Sequence, residues 1–115
     1  MKTVFSFHLM SLTLFFFFVL PGCAMHHHYT KVEGDSLSLF YSAQGAKMVY
    51  FASSLDNFQY HTARLVNKSV WQVTVPLQKE FEYFYIVDGV VTQPPCNNTV
   101  LDDFGAKNCL FLADM

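Results

Sequence analysis

The sequence predicts an all-β domain, a sandwich of two antiparallel sheets with about seven short strands. Three observations support this fold class. Apolar side chains alternate with polar ones in short runs, and no segment sustains the helical period. Gly, Pro, Asn and Asp residues separate these runs at even spacing. Residues 81–87, which are aromatic, β-branched or acidic, run directly into Asp88-Gly89, a typical signal of a tight hairpin.

The strands follow one another between recognisable turns. Ser42 to Gly45 and Asn67-Lys68 carry turn chemistry, as does Asp56-Asn57 in the loop of residues 53–58, and Pro94-Pro95 ends a strand. We expect strands over residues 35–41, 47–52, 61–66, 69–75, 81–87, 90–93 and 108–112.

The run before Asp88 has two different faces. Period-two alternation predicts one apolar face that belongs to the core: Phe81, Tyr83, Tyr85 and Val87. The opposite face combines two acids with two large apolar groups, so it is either half-covered or a contact surface: Glu82, Phe84, Ile86 and Asp88.

Residues 1–22 have the anatomy of a secretory signal. Lys2 is the only charged residue, residues 4–19 are predominantly apolar, and small residues follow. The apolar run is shorter than the about 20 residues that a membrane span needs. Leu20-Pro21-Gly22-Cys23 resembles a bacterial lipobox, with Pro21 where Ala or Ser is usual.

The lipobox resemblance implies a lipoprotein, acylated at Cys23 with groups such as palmitate and held at the cell envelope. Ala24 beside it resembles a signal for the outer membrane, where the cell has two membranes. The alternatives are cleavage after Ala24, which gives a soluble periplasmic or secreted protein, and an uncleaved anchor. Residues 23–34 are interpreted as a tether, and the neighbouring histidines 26–28 do not converge as metal ligands should.

The cysteines indicate an oxidising compartment. Lipidation of Cys23 leaves an even pair, Cys96 and Cys109. An exported domain favours a disulfide between them, whereas the alternative is two unrelated buried thiols.

Charge excludes one class of partner. The chain has 9 acidic and 7 basic residues, a formal net charge of −2, and no basic cluster. Nucleic acid is therefore not an expected partner, because phosphate binding needs a concentrated positive surface.

Several motifs, in order and at matching distances, resemble one known family. They are residues 46–51, Leu55-Asp56-Asn57-Phe58, residues 71–77, residues 81–89 and residues 104–108. Through them, the sequence from residue 35 to 113 resembles the glycogen-binding domain of the AMP-activated protein kinase β-subunit and the N-terminal early-set domain of isoamylase, carbohydrate-binding module family 48. The resemblance implies an immunoglobulin-like, early-set sandwich.

The family's sugar-binding residues are only partly retained. Glycogen-binding members have a tryptophan, a lysine and a second tryptophan where this sequence has Phe58, Phe84 and Val91. Asn108 keeps the family's polar group, and Phe104 occupies an apolar position before Gly105. The resemblance therefore implies carbohydrate binding, of α-glucan or envelope polysaccharide, through Phe58, Phe84, Phe104 and Asn108.

Two other interpretations remain open. Compared with glycogen-binding members, this face has a phenylalanine in place of a lysine. Such a face also suits contact with an envelope protein, or a structural role without sugar binding. Phe84 is alternatively a packing residue with no function of its own. We expect neither catalysis nor a cofactor, because Asp102-Asp103 are adjacent rather than opposed across a substrate and His61 is isolated in the sequence.

Overall fold

A computed structural model describes residues 28–113. The predicted signal segment of residues 1–22 and the predicted lipid-bearing Cys23 lie outside the described residues, as do His26 and His27. None of the described helical segments has the length and apolar character needed to cross a membrane.

The described chain is an all-β sandwich, which confirms the predicted fold class. Its only helical segment is a single 3-10 turn over Ser54–Asp56. The strands are β1 His28–Glu33, β2 Ser36–Ser42, β3 Val49–Ser53, β4 His61–Thr62, β5 Arg64–Leu65, β6 Val70–Pro76, β7 Glu80–Val87, β8 Val90–Thr92, β9 Thr99–Leu101 and β10 Lys107–Leu112.

All of the strand pairs are antiparallel and form two sheets. The four-stranded sheet has the order β1-β2-β6-β5. The six-stranded sheet has the order β4-β3-β7-β10-β9, with β8 paired to β7. The core lies between the sheets and includes Leu37, Leu39, Phe51, Trp71 and Tyr85.

The two-faced character of β7 follows the predicted alternation. Phe81, Tyr83 and Tyr85 are at most 3% exposed and point into the core. Phe84, on the other face, is half-buried. The face of Phe84 is thus the outer face of the six-stranded sheet, partly covered and partly open.

The predicted tether of residues 23–34 is wrong for its second half. β1 pairs with β2 along its whole length, and Glu33 lies opposite Ser36. Gly34-Asp35 is therefore a two-residue hairpin loop, and the φ of +63° at Gly34 suits such a turn. The domain consequently includes residues 28–34, and the Gly34-Asp35 signal was present in the sequence.

The predicted single strand over residues 61–66 is also divided. β4 pairs with β3 in one sheet and β5 pairs with β6 in the other. Ala63, which is buried between them, donates its N–H to the Val49 carbonyl at 2.8 Å. The segment between the predicted strands 90–93 and 108–112, for which no strand was expected, contains β9, which pairs with β10. With β1, the divided strand and β9, residues 28–113 contain ten strands, whereas the sequence predicted about seven.

Asp88 does more than form the predicted turn. It has a positive φ of 48°, followed by Gly89 at 83°, as a type I′ hairpin requires. Its Oδ1 also accepts hydrogen bonds from the N–H groups of Lys47 and Met48, both at 2.9 Å. The turn is thereby attached to the chain entering β3.

We expect Asp88→Ala to lower the free energy of unfolding by about 1–2 kcal/mol, because it removes the acceptor of both hydrogen bonds and strains a left-handed residue. Chemical denaturation measures the change. Asp88→Asn keeps an acceptor oxygen and tolerates positive φ, so it should lose less than half as much. Equal losses in the two variants would contradict this role.

His28 starts β1 inside an aromatic cluster. Its ring stacks on Tyr83 with centroids 5.5 Å apart, and its Nε2 lies 3.2 Å from the Tyr85 hydroxyl. Burial disfavours the charged imidazolium and lowers the pKa of His28 to about 4.

This burial predicts acid destabilisation. The unfolded chain takes up the His28 proton near its ordinary pKa of about 6.5, before the folded chain does, so stability falls as the pH drops below that value. Between pH 7 and pH 5, protonation of His28 in the unfolded chain should lower the free energy of unfolding by about 1–2 kcal/mol. Thermal denaturation of His28→Gln should show a correspondingly weaker pH dependence. Tyr85→Phe, which keeps the titrating ring, should retain the dependence; an unchanged slope in His28→Gln would refute the assignment.

Candidate functional site

The four residues predicted for binding meet at one groove on the outer face of the six-stranded sheet. The groove has a volume of about 410 Å³. Strand β7 forms its floor, and the loops after β3 and after β9 form its sides. The lining residues are Phe58, Glu82, Phe84, Leu101, Asp102, Asp103, Phe104 and Asn108.

Phe58 and Phe84 form the aromatic part of the groove. Their rings are nearly parallel, with an interplanar angle of 13° and centroids 5.7 Å apart. Ala52 lies opposite Phe84 on the neighbouring strand, and its small side chain leaves room for Phe58 to reach Phe84. Both phenylalanines are half-buried, so the pair is held by packing and still borders the groove.

A strained backbone delivers Phe58 to this position. The 3-10 turn is capped by Ser53, whose Oγ accepts the Leu55 N–H, and Asn57 and Phe58 then both have a φ of +61°. The Phe58 N–H donates to the Ser53 carbonyl at 2.7 Å. Asn tolerates the left-handed region, whereas the same backbone conformation is unfavourable by about 1–2 kcal/mol for a residue such as Phe. Strain that persists at one half-buried loop residue is a reason to look for a function of that residue.

Asn108 and Glu82 supply the polar floor. They lie on the adjacent strands β10 and β7, and Asn108 Nδ2 donates to Glu82 Oε1 at 3.3 Å. Asn108 is only 7% exposed, so this hydrogen bond fixes its amide. The pair places an amide and a carboxylate beside the phenylalanine rings.

The loop after β9 is held by Asp102. Its Oδ1 accepts the N–H groups of Phe104 and Ala106, both at 2.9 Å. Its backbone N–H donates to the Ala106 carbonyl at 2.8 Å, which closes the turn. Phe104 is thereby displayed at the rim of the groove with 95% of its surface exposed.

The groove is acidic as well as aromatic. Glu82, Asp102 and Asp103 line it, and no lysine or arginine does. Such a lining repels phosphates and anionic lipid headgroups, whereas carboxylates accept hydrogen bonds readily from hydroxyl groups.

The sequence interpretation missed part of this lining. Glu82 shares the outer face of β7 with Phe84, so alternation already placed it there, although no role was assigned to it. Asp102 and Asp103 were considered only as adjacent carboxylates unsuited to catalysis, and only the closed turn shows that they border the groove. Leu101 was not singled out because β9 was not predicted.

A larger cavity of about 680 Å³ opens at another place, where the chain crosses from β4 to β5. Its lining includes Asp56 and His61, whose Oδ2 and Nε2 are in contact, together with Arg64 and Thr74. The imidazole, the carboxylate and the guanidinium are all partly solvated, and none of the described residues forms a nucleophile–base pair with His61. We therefore assign the candidate site to the smaller aromatic groove.

Within residues 28–113, no group of three or more His, Cys, Asp or Glu side chains is arranged to hold a metal ion. The Cys96–Cys109 disulfide is present, as predicted from the cysteine count. One of its cysteines, Cys109, directly follows the groove residue Asn108 in the sequence.

The sequence matches no family model and no curated protein.

Proposed function

We propose that this domain is a non-catalytic carbohydrate-binding module whose ligand is a neutral polysaccharide, an α-glucan or an envelope polysaccharide. The observation that carries the proposal is the groove in which the Phe58–Phe84 pair lies beside the Asn108–Glu82 hydrogen bond. Sugar recognition needs an apolar aromatic surface for the C–H face and directional polar groups for the hydroxyls, and this groove combines both.

The charge of the groove supports a neutral polyol over other ligands. Three carboxylates and one amide line it without any cation. Nucleic acid and an anionic membrane surface are both disfavoured by such a lining. The resemblance to the glycogen-binding family supports the same conclusion independently of the charge.

A second candidate function is contact with another protein of the cell envelope. The specific observation is the rim, where Phe104 is 95% exposed and Leu101 is 67% exposed. Exposed apolar groups that adjoin one another are typical of protein-interaction surfaces. On this alternative, Phe104 inserts into a partner and the groove binds no sugar.

A titration separates the two functions. We expect the domain to bind soluble α-glucan and β-cyclodextrin, measured by calorimetry, and Phe84→Ala to weaken that binding at least about tenfold. Tyr29→Ala is the matched control, since Tyr29 is an exposed aromatic residue on the other sheet. No binding by the wild-type domain at millimolar sugar would reject the α-glucan ligand and leave protein contact as the stronger candidate.

The proposed cellular setting is the cell envelope, with the domain tethered by a lipid on Cys23. It rests on the signal-like residues 1–22 and on the disulfide, which forms in oxidising compartments. Mass spectrometry of the mature N-terminus tests it: an acylated Cys23 supports the anchor, and a free residue 25 at the N-terminus supports cleavage after Ala24.

A further inference from the structure

We infer that the groove is one end of a longer binding surface, and that Tyr50 and Tyr60 form a second stacking platform for an extended oligosaccharide. This inference rests on the proposed carbohydrate function and deepens it: the ligand is recognised along a linear chain and not at a single sugar.

The register of β3 and β7 places Tyr50 on the same face of the sheet as Phe84. Tyr50 lies opposite Ile86 and Ala52 lies opposite Phe84. Val49 and Phe51 point into the core, so Tyr50 and Ala52 point to the outer face. Tyr50 therefore shares the outer face with Phe84 and is displaced from it along the sheet by two residues, about 7 Å.

The second support is the pairing of Tyr50 with Tyr60. Their ring centroids are 5.9 Å apart, with planes inclined at 33°, and Tyr60 is 58% exposed. Tyr60 follows Phe58 by two residues, so one loop supplies a ring to each aromatic pair. The phenol hydroxyls and the neighbouring Thr62, which pairs with Tyr50, are polar groups available to sugar hydroxyls.

The strand positions between the two pairs carry uncharged side chains. Ala52 and Ile86 lie there, and they are buried although they point outward, at 0% and 4% exposure. At these two positions the outer face is therefore apolar and shielded from solvent. A chain running from the Phe58–Phe84 pair to the Tyr50–Tyr60 pair crosses no charged side chain of β3 or β7.

These features favour a linear neutral oligosaccharide as the occupant. Each hexose presents an apolar C–H face to an aromatic ring and hydroxyls to its edges, and successive units repeat that pattern along a chain. The two aromatic pairs repeat it along the sheet. A monosaccharide reaches one pair only, whereas a chain of several units engages both pairs and gains affinity from the second contact.

The test compares methyl α-glucoside, a single sugar unit, with maltoheptaose, by calorimetry, on the disulfide-bonded domain. The wild-type domain should bind maltoheptaose at least about tenfold more tightly than methyl α-glucoside. Tyr60→Ala should reduce that ratio to near one by weakening the longer sugar alone. Tyr29→Ala, which removes an exposed ring from the other sheet, should leave the ratio unchanged.

Each outcome is decisive. If Tyr60→Ala weakens the binding of both sugars equally or of neither, the second platform is rejected, and binding of maltoheptaose by the wild-type domain still upholds the proposed function. If the wild-type domain binds neither sugar, the platform and the α-glucan ligand are rejected together.

Discussion

Removing the disulfide with Cys96→Ala and Cys109→Ala together should lower the free energy of unfolding by about 3 kcal/mol, through loss of a constraint on the unfolded chain. The bridge closes a segment with a sequence separation of 13. It joins the chain before β9 to strand β10, where the Leu110 N–H also donates to the Asn98 carbonyl at 2.8 Å. Denaturation in urea, with the midpoint and slope both fitted, measures the change.

Reduced wild-type protein is the control for packing. Cys109 is fully buried, so its replacement by Ala also removes core volume. Reduction leaves both sulfurs in place and should still lower the stability by most of the same amount. A reduced protein as stable as the oxidised one would show that the bridge contributes little.

Phe58 should show an unusual order of stability among its variants. Phe58→Ala and Phe58→Gly both remove the ring that stacks on Phe84, and both should weaken α-glucan binding by at least about tenfold. At a φ of +61°, however, glycine has no Cβ to strain the backbone. Phe58→Gly should therefore be more stable than Phe58→Ala by about 1 kcal/mol, the reverse of the usual preference.

Parallel denaturation and titration curves for the two variants test this prediction. The adjoining Asn57 has the same φ of +61°, so Asn57→Gly serves as a control that relieves strain without removing the ring. It should keep its sugar binding. If Phe58→Gly is less stable than Phe58→Ala, the backbone strain assigned to Phe58 is wrong.

The features of the fold that could be predicted from the sequence are those that follow from the alternation of apolar and polar side chains along a strand. The buried side of β7 and the turn at Asp88-Gly89 follow from short-range patterns, because period two fixes which side chains share a face. The Cys96–Cys109 bridge followed from a count of cysteines combined with the inferred export. β1 was misassigned because exposed edge residues such as Thr30 and Lys31 have no apolar pattern.

The unpredictable part depends on contacts between distant segments. Ala63 separates β4, which pairs in the six-stranded sheet, from β5, which pairs in the four-stranded sheet. No local pattern in residues 61–66 marks that change of sheet. The groove likewise combines Phe58, Phe84 and Phe104, which three separate elements contribute. The family resemblance supplied those positions, whereas Asp102 and Asp103 became lining residues only through the turn that Asp102 closes.

The most direct test of the central proposal is residue-resolved NMR of the isotope-labelled domain, titrated with β-cyclodextrin. We predict that chemical-shift changes concentrate at the residues that line one groove, Phe58, Glu82, Phe84, Phe104 and Asn108. Changes confined to the cavity between β4, β5 and β6, or no changes at millimolar sugar, would contradict the claim that this groove binds carbohydrate.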